Sequence, residues 1–385
     1  MTKQENMERL EHNALQVVNR LHQGDINEKI SAARMLKNEV IGNKTKKEIY
    51  VKLNALPVLI EAIRNYQQSA EFGLQAIAAL GSLACNYPQG SRAVIDAKAL
   101  DPLFRAVSVE HEGDHAMAVD TNKEDKDMIN TSMVTIKTEM SEKQQDQIVE
   151  AAARTIKILF EYAADISVDD LFLESSETFI IDLLIHFLTL GTKRPLVADM
   201  ACIVVAHGCN IKKQFQNLVA ERGGISAALN LFVDCCNSSS FSTCRFSSLR
   251  ALASLSWLNV DTSEQLVKLG IVSYAMKTLH SSNPRLRLEA CKLLANLLHL
   301  EVLPKEFPHS SREVSTAVIP TLVQLFSEKR DIKRDAPRIL AHAVAHSEHL
   351  QKVACDADAI PQLANYLNGG DQDVELYPDL AASAF

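Results

Sequence analysis

One short phrase recurs along this chain and limits what it can fold into. It is a small residue, then Leu or a β-branched residue, often a Pro, leading into an apolar helical pattern. It stands at Ala55-Leu56-Pro57, Ala99-Leu100-Asp101-Pro102, Gly224-Ile225-Ser226, Gly270-Ile271-Val272, Ala317-Val318-Ile319-Pro320 and Ala359-Ile360-Pro361. The clear successive copies start 44, 46, 47 and 42 residues apart. A period in the forties is that of three-helix armadillo or related HEAT units, each too small to bury its apolar face without a stacked neighbour. The expected fold is therefore all-α: an armadillo-type α-solenoid, a right-handed superhelix of three-helix repeats. Pro57, Pro102, Pro320 and Pro361 fit the first turn of a helix, where the missing N–H costs nothing, so each phrase reads as a helix start.

After each phrase comes a second run with apolar residues at i, i+3, i+4 and i+7 and small residues between them, as in Leu74–Ala84 and Leu288–Leu298. Small residues let the helices of an inner layer approach closely. Repeats are expected near 12–46, 47–91, 92–165, 168–210, 215–260, 263–303 and 313–350, so that 1–385 is one solenoid of about seven repeats. The unit around Phe179–Leu184 lacks Pro and is placed by spacing. From Ser108 to Gln147 the pattern is interrupted by a long, polar, aperiodic stretch, expected as a disordered surface loop. Lengthening a loop adds little closure entropy, so a solenoid tolerates it. A further repeat begins near 351 and the chain ends at Ala384-Phe385 as a third helix starts. Solenoids normally close with a polar cap, so this last repeat reads as truncated.

At 385 residues the chain is too long for one hydrophobic core, yet no Gly/Pro/Ser linker divides it. A solenoid resolves this, because its core grows with length. The net charge of −8 and the absence of a basic stripe argue against nucleic acid as a partner. No apolar stretch reaches the roughly 18 residues of a membrane helix, and Met1–Glu8 has no signal-peptide core, so no membrane is expected and the protein should be soluble and intracellular, with cytoplasm and nucleus the expected compartments. Eight cysteines form no CxxC pair and mostly lie in apolar helix patterns, which reads as small buried hydrophobes in a reducing compartment. The sequons at Asn43, Asn130 and Asn237 then carry no meaning.

Little in the chain suggests chemistry. His111-Glu112-Gly113-Asp114-His115 matches the zinc-protease pentad, which needs both imidazoles on one helical face; Gly sits inside it and its flanks are loop-like, so chance is the better reading. His342, His346 and His349 fall at i, i+4 and i+7 and could share a helix face, with solvated polar residues the plainer account. Cys202 with His207 and Cys209, and Cys235-Cys236 with Cys244, have irregular spacings for zinc. No nucleophile elbow, P-loop, dinucleotide fingerprint or cysteine-rich cross-brace is present, so no enzyme and no cofactor is expected. Ile136-Lys137-Thr138-Glu139 fits the short SUMO-acceptor pattern, which makes Lys137 a candidate modification site. The remaining candidate surface is the ladder of third helices lining a concave groove. There the positions that hold Asn in import adaptors carry Ser82, Ser254, Asn296 and His342, with Trp257 as the single Trp. Ser254, Asn296 and His342 are the candidate protein-binding residues.

The N-terminal third is more specific. The run Met35-Leu36-Lys37-Asn38-Glu39-Val40-Ile41-Gly42-Asn43-Lys44, followed by LNALPVLIEAI and LQAIAALGSLA, resembles the family of armadillo repeat-containing protein 8 and the yeast vacuolar import and degradation protein 28. EAAARTIKILF, MACIVVAHGC and LVQLFSEKRDIKRDAPRILAHAV follow the same order more loosely, so the likeness is strongest between Lys29 and Val107. The resemblance implies a non-catalytic scaffold subunit of the GID/CTLH E3 ubiquitin ligase. Such a subunit joins the CTLH-domain and RING-type core to a substrate receptor for proteasomal degradation. The polar insertion departs from the family pattern. Members also continue with further repeats to which receptor docking is attributed, so this chain is expected to keep the core-facing surface. The other readings are an import-adaptor or catenin-type cargo or adhesion adaptor and, distantly, a zinc hydrolase built on the pentad.

Overall fold

The computed structural model describes residues 3–108, 140–162, 177–238, 242–304, 310–328 and 330–368. These form twenty α-helices and one 3-10 turn, and no strand occurs among them. They divide into two compact units, Met1–Ser175 and Ser176–Phe385.

The first unit opens with α1 (Lys3–Gln23) and α2 (Ile26–Val40) and then repeats a short, short, long order. The first such set is α3 (Lys44–Lys52), α4 (Leu56–Arg64) and α5 (Ala70–Ala84); the second is α6 (Pro88–Asp96), α7 (Leu100–Ser108) and α8 (Glu142–Tyr162). The second unit starts with α9 (Glu177–Leu190) and α10 (Pro195–Ile211), which cover the stretch that spacing alone had placed. The short, short, long order resumes in α11 (Lys213–Glu221), α12 (Gly224–Asn237) and α13 (Ser242–Ser256), and again in α14 (Val260–Lys268), α15 (Ile271–Thr278) and α16 (Pro284–His299). Then come α17 (Ser311–Leu325), α18 (Arg330–Val344), α19 (Glu348–Asp356) and α20 (Ala359–Asn368). In each unit the long helices stack on one another, α2 on α5 on α8 in the first and α10 through α13 and α16 to α18 in the second.

The recurring phrase has a backbone cause. The residue that ends the first short helix takes a left-handed conformation at Asn54 (φ 61°), Lys98 (φ 66°), Gly223 (φ 87°), Gly270 (φ 82°) and Asp358 (φ 60°). This closes the preceding helix, with the amide of Ala55 donating to the Tyr50 carbonyl and that of Ala99 to Val94. The next residue is driven into the core, where Ala55 and Ala99 are fully buried, which explains the small head of those copies; in Gly270-Ile271 the head is the left-handed glycine itself and Ile271 takes the buried place. A second left-handed turn links long helix to short helix at Gly42, Asn86 and Leu258. In the Val40-Ile41-Gly42-Asn43 stretch, Gly42 (φ 70°) reverses the chain and the Asn43 side chain accepts from the Lys46 amide at 3.0 Å, capping α3.

Two expectations need correction. The copy at Ala317 does not start a helix: α17 runs unbroken from Ser311 and holds Pro320 in its interior. The residues directly before it, from Ser311 on, are helical, and the Thr321 hydroxyl donates to the Ala317 carbonyl at 2.7 Å within the same turn. Pro320 deprives the Thr316 carbonyl of its helical donor, and both residues line an open cleft where water can take that role. The polar interruption also ends earlier than Gln147. Ser141 and Gln144 form a reciprocal cap, amide to side chain at 3.2 and 3.4 Å, that starts α8 at Glu142. The pentad His111–His115, Lys137 and residues 109–139 as a whole lie outside the described residues.

Polar side chains at one position join the stacked helices. The fourth residue of each short first helix reaches a carbonyl at the end of a long helix. Ser91 donates to Ala84, Ser263 to Ser256 and Gln351 to Val344, each in the preceding repeat. The longer Lys47 reaches forward to Cys85, and Gln216 reaches Ser254, Leu255 and Trp257. Several of these carbonyls also accept an amide of the turn that follows, Ala84 from Tyr87, Ser256 from Asn259 and Val344 from Ser347, so the side chains add a second donor at the helix end and tie the next helix to it.

Candidate functional site

Three of the long-helix residues singled out from sequence converge in the second unit. Ser254 lies in the last turn of α13, Asn296 near the end of α16 and His342 near the end of α18. Two of them, however, offer no surface. Ser254 and Asn296 are both 0% exposed, so the expectation that they present side chains to a partner is corrected. The reason lies in the local turn. Asn296 accepts from the Leu258 amide at 3.1 Å and donates to the Ser256 carbonyl at 2.6 Å, holding the left-handed turn after α13 shut. The Ser254 hydroxyl is buried without a hydrogen-bond partner.

His342 is half-buried and belongs to a row of four rings. Its centroid is 4.2 Å from Trp257 on one side and 4.0 Å from His299 on another, and His346 lies 5.2 Å from His299. Lys292 Nζ stands 5.5 Å from the Trp257 ring centroid, a cation–π distance. His299 Nδ1 lies 2.9 Å from the His342 carbonyl, which fixes that nitrogen as the N–H donor, and His342 Nε2 points at Asn296 Oδ1 at 3.4 Å. Burial first, and then the neighbouring His299 and His346, bring the His342 pKa down to about 4. The ring is therefore neutral near pH 7, which suits its stacked position.

The sequence expectation of one helix carrying His342, His346 and His349 is also corrected. Helix α18 ends at Val344, and His349 belongs to the first turn of α19, which Ser347 caps. His299 takes its place beside His342. Rings stacked face to face at 4.0 Å cannot both aim a lone pair at one ion, and no group of metal-ligating residues able to hold an ion occurs among the described residues. The cysteines are all free thiols: Cys202, Cys209, Cys235, Cys244 and Cys291 are buried, Cys85 and Cys236 are partly exposed, and Cys355 is exposed. Burial raises the Cys202, Cys209 and Cys291 thiols well above their ordinary value, so they stay protonated. His207 and Cys209 lie at the end of α10, and Cys244 donates to the Pro195 carbonyl at 3.0 Å.

What sequence reading missed is the ring row. Trp257 and His342 are 85 positions apart and His299 belongs to a third helix, so only the stacking of α13, α16 and α18 brings them together. The available signal was their shared place, each at the end of a long helix.

No family model matches the chain. GID complex subunit 5 of Schizosaccharomyces pombe is 36% identical over 85 residues, 22% of this chain and 10% of that protein's length. A designed armadillo repeat protein superposes with a TM-score of 0.54 at 18% identity, covering 74% of this chain and 99% of its own. A designed armadillo repeat protein in complex with the peptide (KR)4 superposes with a TM-score of 0.51 at 17% identity, covering 73% and 98%. The fold is an armadillo-type α-solenoid. At such identities the structural likeness establishes the fold alone, and the described long helices are its ladder. No helix among the described residues is long and apolar enough to cross a membrane.

Proposed function

We propose that the chain is a non-catalytic protein-interaction scaffold of the cytoplasm and nucleus. In this reading it is a subunit of a GID/CTLH-type E3 ubiquitin ligase, linking the catalytic core to a substrate receptor. The observation that carries the reading is the 85-residue stretch 36% identical to GID complex subunit 5, on a frame of stacked three-helix repeats. Stacked repeats expose helix faces over a long surface while each repeat leans only on its neighbours, which suits holding several partners at once. The partners proposed are the CTLH-domain and RING-type subunits of the core. The test is affinity purification of the tagged chain from its own cells. Recovery of both kinds of subunit is expected, and recovery of neither overturns the reading.

An adaptor for basic peptides is the second reading, and the designed relative in complex with (KR)4 is what favours it. The ring row weighs against it. Lys292 already places this protein's own cation beside Trp257, where a bound lysine or arginine side chain would need to sit.

A further inference from the structure

The start of α3 breaks a local rule. A helix N-terminus carries partial positive charge and favours carboxylates, yet the first four residues of α3 are Lys44-Thr45-Lys46-Lys47, with no acidic residue among them. Two of these lysines are compensated. Lys46 pairs with Glu39 at 3.0 Å, a carboxylate that also accepts from the Tyr50 hydroxyl at 3.1 Å. Lys47 is buried and donates to the Cys85 carbonyl. Lys44 is exposed and has no ion-pair or hydrogen-bond partner among the described residues.

Lys44 lies on the rim of a groove of about 540 Å³ between the Ile41-Gly42 turn, the end of α5 and the face of α8. Among the described residues the charged side chains lining it are Lys44, Lys47 and Arg154, with no carboxylate. Arg154 pairs with Glu150 one turn away at 3.4 Å, and both side chains are more than half exposed, so solvent weakens that pair and leaves the guanidinium open to exchange. The apolar part of the lining is Ala78, Ala151 and Ile158, together with Ile41, which is 65% exposed, and the neutral polar part is Ser82, Asn86 and Thr155. No aromatic residue lines the groove among the described residues, so a nucleobase would find none of them to stack on. A small inorganic anion would leave the apolar wall unused.

We propose that this groove docks an acidic peptide segment of a partner protein. One Asp or Glu carboxylate would sit at Lys44 and the α3 N-terminus, another at Arg154, and an apolar side chain between them against Ala78, Ala151 and Ile158. The proposal rests on the reading of the chain as a protein-binding scaffold and gives one of its surfaces a chemistry. That chemistry is opposite in sign to the (KR)4 peptide of the designed relative.

The test is fluorescence polarisation of the full chain with labelled (Glu-Leu)4, (Gln-Leu)4, (KR)4 and a phosphoserine peptide of matched length. The acidic peptide is expected to bind at least tenfold more tightly than the neutral and basic ones, with affinity falling as salt rises. Lys44→Glu with Arg154→Glu is expected to remove at least a factor of ten while far-UV circular dichroism stays unchanged, since both residues are exposed. Equal binding of (Gln-Leu)4, preference for (KR)4, or an unaltered affinity in the double variant would overturn the proposal. Binding of the phosphoserine peptide without (Glu-Leu)4 would overturn it in favour of a phosphate site. Failure of the ligase subunits to co-purify while (Glu-Leu)4 still binds would defeat the scaffold's proposed partners alone. The reverse result would defeat this groove alone.

Discussion

Gln216 shows how much one side chain does in a stacked fold. Its amide donates to three carbonyls at the end of α13, at 2.8 to 3.0 Å, and its oxygen accepts from Asn259 at 3.0 Å, all from a position 1% exposed. Gln216→Leu keeps the volume and strips the donors. It is expected to cost about 1–3 kcal/mol, from the donors lost to the Leu255 and Trp257 carbonyls while Ser254 keeps the Trp257 amide, read as a lower urea midpoint with unchanged slope. His342 gives a pH signature. Its folded-state pKa of about 4 lies below the ordinary 6.5, so the unfolded chain takes up the proton first as pH falls. Stability from this group is constant above about pH 7 and is lost as pH drops from 6.5 towards 4, by on the order of 1 kcal/mol once solvent screening of a half-exposed ring is allowed for. Glu289, partly buried on the same helix as Lys292 and His299, has a carboxyl raised above its ordinary value, chiefly by desolvation, and changes stability in the opposite sense. The measurement is therefore a difference: chemical denaturation of the protein and of His342→Phe between pH 4 and 7, where the variant should show the shallower loss. An equal slope would remove His342 as the cause.

At the scale of helices, the packing of α5 on α8 turns on one missing atom. A Cβ at Gly81 would meet Thr155 Oγ1 at 2.9 Å, and that hydroxyl is held in place by the Ile77 carbonyl at 3.2 Å. Ala is the better helix former by about 1 kcal/mol, but overpacking a close helix contact costs about 1–3, so the clash wins and Gly81→Ala should destabilise. Adding Thr155→Ala should cost less than the sum of the two single changes, because the second removes the atom the first collides with. Thermal melts of the four proteins check this, and strict additivity would refute the contact. Much at this scale was legible. The small residues of the LGSLA run announced a close approach, and the repeat spacing placed most helices. The Ser141-Glu142-Lys143-Gln144 cap was equally legible and was hidden only by the polarity around it. Pro320 was not, since a proline reads the same in a first turn and in a tolerated interior position.

Within each unit, stacked repeats pass stability from neighbour to neighbour rather than through one shared core. Gly81→Ala should accordingly raise amide hydrogen exchange in α5 and α8 before it does so in α16 and α18, and Gln216→Leu should act first in α11 and α13. Uniform acceleration in every helix would count against nearest-neighbour coupling. The sequence by itself determined the repeat, its period and the all-α class, because periodicity and helix-ending residues are local properties that need no partner to be read. Only the tertiary structure decided which polar residues face solvent. Asn296 and Ser254 occupy ladder positions by count, yet a turn closes over them, while Trp257, His299 and His342 from three helices become one ring row. Burial and convergence depend on how neighbouring repeats are rotated against each other, and that rotation is set by the summed contacts of many side chains rather than by any short stretch of sequence.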